Sequence, residues 1–427
     1  MSPRTFPMSR FTAVFLATLA LFVSPAFSAD APTSTTTRAR IVEPGAIAGP
    51  LPPPVPQEEI DPETGLSRST VVRPLRDLPP PPTVAPSPRA APAGPSAVPG
   101  PSARGHLALI LPTASPALGR LAEAVRQGFA AAVQVAGRDA PPVDLLAVDN
   151  EGPALLAACQ QAQAAGSLLV VAALTRDGAT ALARSDCARQ PVLALNEPQA
   201  ILGPDLPQNL FTVSLSIERE ARQVALMAVA DGRRSAIVIG SPSPLARRVQ
   251  EAFEREWSAA AGDLRRVPFT GNPEDAAALK ELLENSRADM AFIALEPAEA
   301  RAVRPYIPAT LPLYATSLSV NPRAEAIVNL DLQGLRYVEM PWFVQPDHPA
   351  VMVYPQPTTP MSVDQERLYA FGIDAFRLAM HLLRGDARRT ALDGVTGRIT
   401  LEPGNAFERT LTPAEVDGGH VIPLRAP

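Results

Sequence analysis

The sequence predicts an α/β protein of two similar lobes, each a parallel sheet flanked by helices. Three observations carry the prediction. From residue 104 onward, short apolar segments of strand length alternate with amphipathic segments of helix length. The alternation runs twice, over about 110 residues each time, as in a duplicated βα unit. The segments after residue 330 continue neither run and read as returns to lobes already built. Near-continuous apolar strands between amphipathic helices fit sheets covered on both faces.

The N-terminal quarter is different. Arg4 and Arg10 precede the uncharged apolar run Phe11 to Val23, and Pro25 breaks it. Ala26-Phe27-Ser28 then supplies small residues where a signal peptidase reads, so residues 1–28 are expected to be an export signal. The run is shorter than the ~20 apolar residues that cross a bilayer, and an uncleaved anchor is the alternative reading. No cysteine lies near the cleavage position, so no lipid anchor is expected there, and no later segment is long and apolar enough to span a membrane. The expected location is a bacterial periplasm. Residues 29–103 are expected to be a disordered linker. Of the 50 prolines in 427 residues, 22 fall in the first 101. Proline fixes φ and removes the backbone donor, so neither helix nor sheet propagates there.

The first run opens with the strand His106 to Leu111 and a helix from Leu118 to Ala136. Val143 to Val148 is the next strand, and Pro153 to Ala165 a helix with proline in its first turn, where a missing N–H leaves no gap in the helix. The strand Leu168 to Ala172, a helix near Asp177 to Ala188 and the strand Pro191 to Leu195 follow. The second run takes strands at Ser235 to Ile239, Arg265 to Phe269, Met290 to Leu295 and Leu311 to Ala315. Its helices fall at Leu245 to Ala260, Pro273 to Asn285 and Pro297 to Pro305. Leu335 to Val338 reads as a strand, Asp364 to Leu383 as a long helix and Thr396 to Leu401 as a last strand. Late returns of this kind build a clamp whose crossings act as hinges around a cleft. The expected division gives lobe 1 residues 104–217 and 344–390, and lobe 2 residues 218–343 and 391–427.

Composition excludes several functions. The net charge is −5, and the basic residues form no patch that could displace counterions from nucleic acid. The four histidines, His106, His348, His381 and His420, are scattered without metal-ligand spacing. Nucleophile-elbow, phosphate-loop and dinucleotide glycine motifs do not occur. No cofactor or metal is expected. Asp149-Asn150-Glu151 looks like a carboxylate pair but reads better as a polar turn capping the helix at Pro153. In open α/β sheets, ligands sit beyond the carboxyl ends of strands. That rule nominates Thr113, Ser115, Thr175 and Asn196 in the first lobe, with Ser241, Ser243, Thr316 and Ser317 in the second. Each is either a ligand hydroxyl or amide, or an ordinary helix cap. The amides after Thr175 could also hold a carboxylate, as helix N-termini do.

Several stretches, in order, resemble the penicillin-binding protein activator (LpoA-like) family in its C-terminal domain. They are Ala108-Leu109-Ile110-Leu111-Pro112, Ala124-Val125-Arg126-Gln127-Gly128-Phe129, Leu193-Ala194-Leu195-Asn196 and Leu215-Ser216-Ile217-Glu218-Arg219-Glu220-Ala221. Further on come Pro312-Leu313-Tyr314-Ala315-Thr316-Ser317, Met340-Pro341-Trp342, Arg367-Leu368-Tyr369-Ala370-Phe371-Gly372-Ile373-Asp374-Ala375 and Gly394-Val395-Thr396-Gly397-Arg398-Ile399. The resemblance implies a type I periplasmic-binding-protein-like fold and a non-enzymatic role. Its implied partner is a bifunctional penicillin-binding protein, with peptidoglycan as a further contact. The sequence departs from the best-known members by lacking their lipidation cysteine and by carrying a proline-rich stretch in place of a helical-repeat domain.

Two functions therefore stand side by side: a regulator of peptidoglycan synthesis, and a periplasmic receptor for a small amino-acid-like solute. Cys159 and Cys187 are not spaced as a C-x-x-C redox motif. In an oxidising compartment they are a candidate disulfide, with two buried thiols as the alternative.

Overall fold

The first strand, β1 (His106–Leu111), is apolar on both faces and buried along its whole length. The structure, a computed structural model, describes residues 105–199, 205–260, 262–271 and 273–424. The expected signal, 1–28, and linker, 29–103, lie outside the described residues. Between β2 (Val143–Ala147) and β3 (Ser167–Ala172), β1 pairs in parallel with both. The helices α1 (Gly119–Ala136), α2 (Pro153–Ala164) and α3 (Arg176–Ala183) make the crossovers, and β4 (Val192–Ala194) and β5 (Leu210–Val213) extend the sheet.

The second lobe starts at α4 (Ile217–Ala230) and repeats the plan. Its strands are β6 (Ser235–Gly240), β7 (Asp263–Pro268), β8 (Met290–Ala294), β9 (Leu313–Ala315) and β10 (Leu335–Glu339). The helices between them are α5 (Pro244–Ala260), α6 (Pro273–Glu284), α7 (Pro297–Val303) and α8 (Ala326–Asn329). The orders β2-β1-β3-β4-β5 and β7-β6-β8-β9-β10 are the same doubly wound order in each lobe. The expected duplication is therefore present at the level of topology.

The C-terminal third completes both lobes. The short helices α9 (Pro341–Val344) and α10 (Pro349–Met352) lead to α11 (Val363–Arg384), which packs along α1. A capping box at Ser362 and Gln365 starts α11, and Gly385 at φ 72° ends it. Gly128 and Gly372 sit where these two helices touch. A Cβ on Gly128 would lie 1.8 Å from the Tyr369 carbonyl oxygen, and one on Gly372 would lie 2.1 Å from that of Val125. The edge-to-face pair Phe129–Phe376, 5.3 Å between centroids, fills the same seam. One apolar core runs from the α1–α11 pair to the α4–α5 pair, and two smaller clusters fill the remaining sheet faces.

Two expectations need correction. The sheets are mixed, not wholly parallel. β13 (Ala406–Thr410) adds in parallel to β5, but β12 (Gly397–Leu401) and β11 (Leu392–Gly394) run antiparallel beyond it. β14 (Thr412–Asp417) and β15 (His420–Pro423) likewise form an antiparallel ribbon on β10. Antiparallel strands need only a short turn, where parallel ones need a crossover of a dozen residues or so. Gly418 and Gly419, at φ 56° and 78°, make the two-residue turn between β14 and β15. The second correction concerns residues 391–427. Leu392–Thr410 pairs into the first sheet, and only the strands from Thr412 onward join the second.

Candidate functional site

The chain crosses between lobes three times: Ser214–Ser216 joins β5 to α4, Met340 joins β10 to α9, and Leu411 joins β13 to β14. A buried charge cluster gathers at these crossings. Arg409, near the end of β13, is buried. Its Nε donates to the Ser214 carbonyl and its Nη1 to that of Thr396, both at 3.0 Å. Burial pushes its guanidinium below the ordinary arginine value. Asp374 of α11 is 0% exposed and accepts from the Val395 and Thr396 amides and the Thr396 hydroxyl. It thereby pins the β11–β12 turn to α11.

Two arginines beside the crossings, Arg367 and Arg323, bridge the lobes. Arg367 of α11 donates through Nη2 to Glu339, 2.9 Å away at the end of β10, and at 3.4 Å to the Ser317 carbonyl. Burial opposes its charge, but Glu339 and Glu220 outweigh that and hold it above the ordinary arginine value. Arg323 of the second lobe clasps both oxygens of Glu366 on α11, and Glu366 also accepts from the Trp342 indole at 2.8 Å. The Phe343 ring lies near both guanidiniums, at 5.0 Å from Arg323 and 5.6 Å from Arg367. On the rim, Arg176 reaches Glu218 at 2.9 Å and Arg219 reaches Glu197 at 2.9 Å, each pair spanning the lobes.

Glu220 lies one turn into α4, where the helix dipole favours a carboxylate. It is 5% exposed. Its Oε2 accepts from the Ser317 hydroxyl at 2.6 Å and the Ser317 amide at 3.2 Å. Burial is the main influence on this carboxyl and pushes it above the usual carboxylate range, only partly offset by Ser317, Arg367 and Arg409. Glu220, Ser317 and Arg367 border an open cleft of about 920 Å³ whose walls come from both lobes.

Of the eight hydroxyl and amide candidates, Ser317 alone lines this cleft. Of the others, Thr175, Ser243, Ser115 and Asn196 serve local backbone. Thr175 caps α3 by accepting from the Gly178 amide at 3.0 Å. Ser243 accepts from Ala246 at 3.1 Å, and Ser241 lies 3.4 Å from Ser243. Ser115 accepts weakly from Leu118, in the same turn as Thr113. Asn196 donates to the Leu174 carbonyl and accepts from the Glu197 amide. Thr316 is fully buried, its hydroxyl without a partner among the described residues. The turn after β3 does hold a carboxylate, but it is the chain's own: Glu151 accepts from the Leu174 and Thr175 amides, each at 2.6 Å. Ala173 at φ 64° shapes that turn. Asn150, not Glu151, caps α2. Among the described residues no acidic, histidine or cysteine cluster could hold a metal ion.

Cys159 and Cys187 are buried free thiols within hydrogen-bonding reach of each other. The bond from Cys159 holds the Cys187 thiol down, to about 7, while Cys159 is pushed up by the same bond and by burial. Both thiols are buried in the folded lobe, so pairing is expected while the chain folds, with an oxidised disulfide carrier taking the two electrons as the bond closes. We expect chain recovered from an oxidising compartment and unfolded without reductant to titrate no thiol. Closing a ~29-residue loop then adds about 3–4 kcal/mol on the chain-entropy account. Two titratable thiols and a melting point insensitive to reductant would refute the bond.

A duplicated α/β clamp with three crossings and a cleft lined from both lobes has the architecture of a type I periplasmic binding protein. The sequence profile described as "LppC putative lipoprotein" matches residues 102–419, and the chain belongs to that family. The penicillin-binding protein activator LpoA of Escherichia coli (strain K12) is 26% identical over 331 residues, which are 66% of this chain and 48% of that protein. That of Pantoea ananatis is 24% identical over 74% of this chain and 53% of its own. The chain thus spans about half the length of the curated relatives it matches. Among solved structures, the LpoA (YraM) C-domain of Haemophilus influenzae, described as a regulator of PBP1A, is 22% identical. It covers 75% of this chain and 100% of that one, with a TM-score of 0.63. A "putative branched-chain amino acid ABC transporter" from Chromobacterium violaceum is 35% identical over 73% of this chain and 100% of that one, also with a TM-score of 0.63.

The charged residues of the cluster were absent from the sequence-based candidates. Glu220, Arg367, Asp374 and Thr396 nevertheless fall within the stretches that carried the family resemblance. A signal existed in Asp374, a carboxylate in the otherwise apolar run Ala370 to Phe376. A charge on an apolar face is seldom buried without a partner.

Proposed function

We propose that this chain is a periplasmic regulator of cell-wall synthesis that binds a bifunctional penicillin-binding protein and stimulates its peptidoglycan synthesis without chemistry of its own. The observation that carries the reading is the family match over residues 102–419, joined to curated relatives that are named penicillin-binding protein activators. The eight polar turn residues give the reading further support. Ser115, Thr175, Asn196 and Ser243 are spent on caps and turns and Ser317 alone reaches the cleft, so the clamp serves more as a scaffold than as an amino-acid cage. Partner contacts then fall on the outer surface. Reconstitution tests this directly. The full chain, mixed with a purified bifunctional penicillin-binding protein, is expected to co-elute with it and to raise its rate of glycan polymerisation and cross-linking. No complex and an unchanged rate would refute the reading. The likeness to the Chromobacterium violaceum structure favours a second reading, a solute receptor. Capture of a permease complex from membrane extract, in place of a synthase, would promote it.

A further inference from the structure

We propose that the interlobe cleft binds a small organic cation, a primary ammonium on an apolar body, with Glu220 as its counter-ion. The walls are mostly apolar and come from both lobes, Leu121 and Leu368 from the first and Leu245 and Leu318 from the second, with Leu215 and Met340 of the crossings between them, around about 920 Å³. Such a space suits a compact hydrocarbon body held by a few polar groups. The charges decide which polar end it takes. Both cleft arginines are already committed, Arg367 to Glu339 and Arg323 to Glu366. Glu220 and Glu296 line the cleft with no ion pair among the described residues, and Asp364, at 3.4 Å, shares Arg367 with Glu339, so acids outnumber arginines around the cleft. A ligand carboxylate would be opposed by this excess of like charge. The turn amides after β3, which suit an anion, are filled by Glu151.

Glu220 is nine-tenths buried, and its Oε1 accepts no hydrogen bond among the described residues, while Ser317 fixes Oε2. Near it, the Tyr337 hydroxyl, Thr316 Oγ1 and Arg367 Nε are buried without a partner among the described residues. Buried polar atoms in native proteins are rarely left so, and each calls for a water or a ligand group. The charged and titratable groups that act on Glu220 are Glu339 on β10, Arg367 on α11 and Arg409 on β13, with the Ser317 hydroxyl hydrogen-bonded to it. Burial raises this carboxyl, and an arriving ammonium restores the ionised form. Binding is therefore expected to release a proton where Glu220 is neutral beforehand, and to weaken as the pH falls. Because the lining comes from both lobes, an occupant favours their closed arrangement. The inference does not depend on the regulatory reading. A receptor and a regulator can both carry this site.

Three probes of one shape test it by calorimetry on the full chain: 3-methylbutylamine, 3-methylbutanoate and leucine. We expect heat from the amine and none from the carboxylate, with leucine weaker than the amine. Glu220→Gln, shown folded by its circular dichroism, should weaken the amine about tenfold or more, as loss of a charge-assisted hydrogen bond does. If that variant does not fold, Asp364→Asn at the exposed rim should weaken the amine about twofold and leave the fold intact. A silent amine, a carboxylate or leucine that binds at least as tightly, or a folded variant with wild-type affinity would each overturn the assignment.

Discussion

Gly372→Ala is expected to lower the melting temperature by roughly 5–10 °C, a loss of about 3 kcal/mol from backbone overpacking. The cause is geometric. The added methyl would sit 2.1 Å from the Val125 carbonyl oxygen and 2.9 Å from the Phe129 amide nitrogen, both main-chain atoms of α1. Main chain within a packed helix cannot rotate aside as a side chain can, so α11 must move outward as a body. That shift loosens the Phe129–Phe376 contact and tilts the helix carrying Arg367 and Asp374 to the crossings. Gly128→Ala, facing the Tyr369 carbonyl from the opposite helix, should cost at least as much. Because both residues touch the same seam, their effects should not add. A melt of Gly372→Ala within about 1 °C of wild type would show that the helices part easily and that the seam does not set the lobe's rigidity.

The same seam shows what the sequence could and could not say. Apolar strands such as Leu107 to Leu111 announce themselves, because burial on both faces demands a run of one residue class. The long helix was legible as Asp364 to Leu383 and forms at Val363–Arg384. The strands from Ala406 onward escaped. Ala406–Thr410, Thr412–Asp417 and His420–Pro423 are short and half-exposed, and Pro413 lies inside one of them. Their lobe is fixed by pairing with strands about 75 to 195 residues earlier, which no local window contains. β5 and α4 were also passed over as elements, and α4 carries Glu220. The cleft was misjudged for a related reason. Hydroxyls after strands are visible to a rule about strand ends, yet half of those eight side chains, Ser115, Thr175, Asn196 and Ser243, satisfy nearby backbone. The residues that meet between the lobes are charges on helix faces. Their partners lie 28 residues away for Arg367 and Glu339, and 97 for Glu220 and Ser317.

Arg367→Met is expected to be the most damaging single change at the crossings, at about 3–5 kcal/mol, because it strips a buried carboxylate of its counter-charge. Glu339 is 0% exposed and keeps only the neighbouring Met340 amide as a donor once Arg367 is gone. Glu220 loses one of its two nearby cations as well. Methionine matches the arginine stem and still packs, so the loss is electrostatic and not a cavity. The double variant Arg367→Met/Glu339→Gln should recover most of the stability, since neutral groups in place of a buried pair cost little. The pH dependence separates this account from simple misfolding. Glu220 has a folded value raised above its unfolded one, so its contribution is complete below the unfolded value and is lost as the pH rises through the folded one. Removing Arg367 raises that folded value further and deepens the loss on the alkaline side. The gap in melting temperature between wild type and Arg367→Met should therefore narrow from about pH 8 to about pH 5. A gap of the same size at both ends, or a double variant no better than the single one, would mean that Arg367 acts through packing and that the charges at the crossings are incidental.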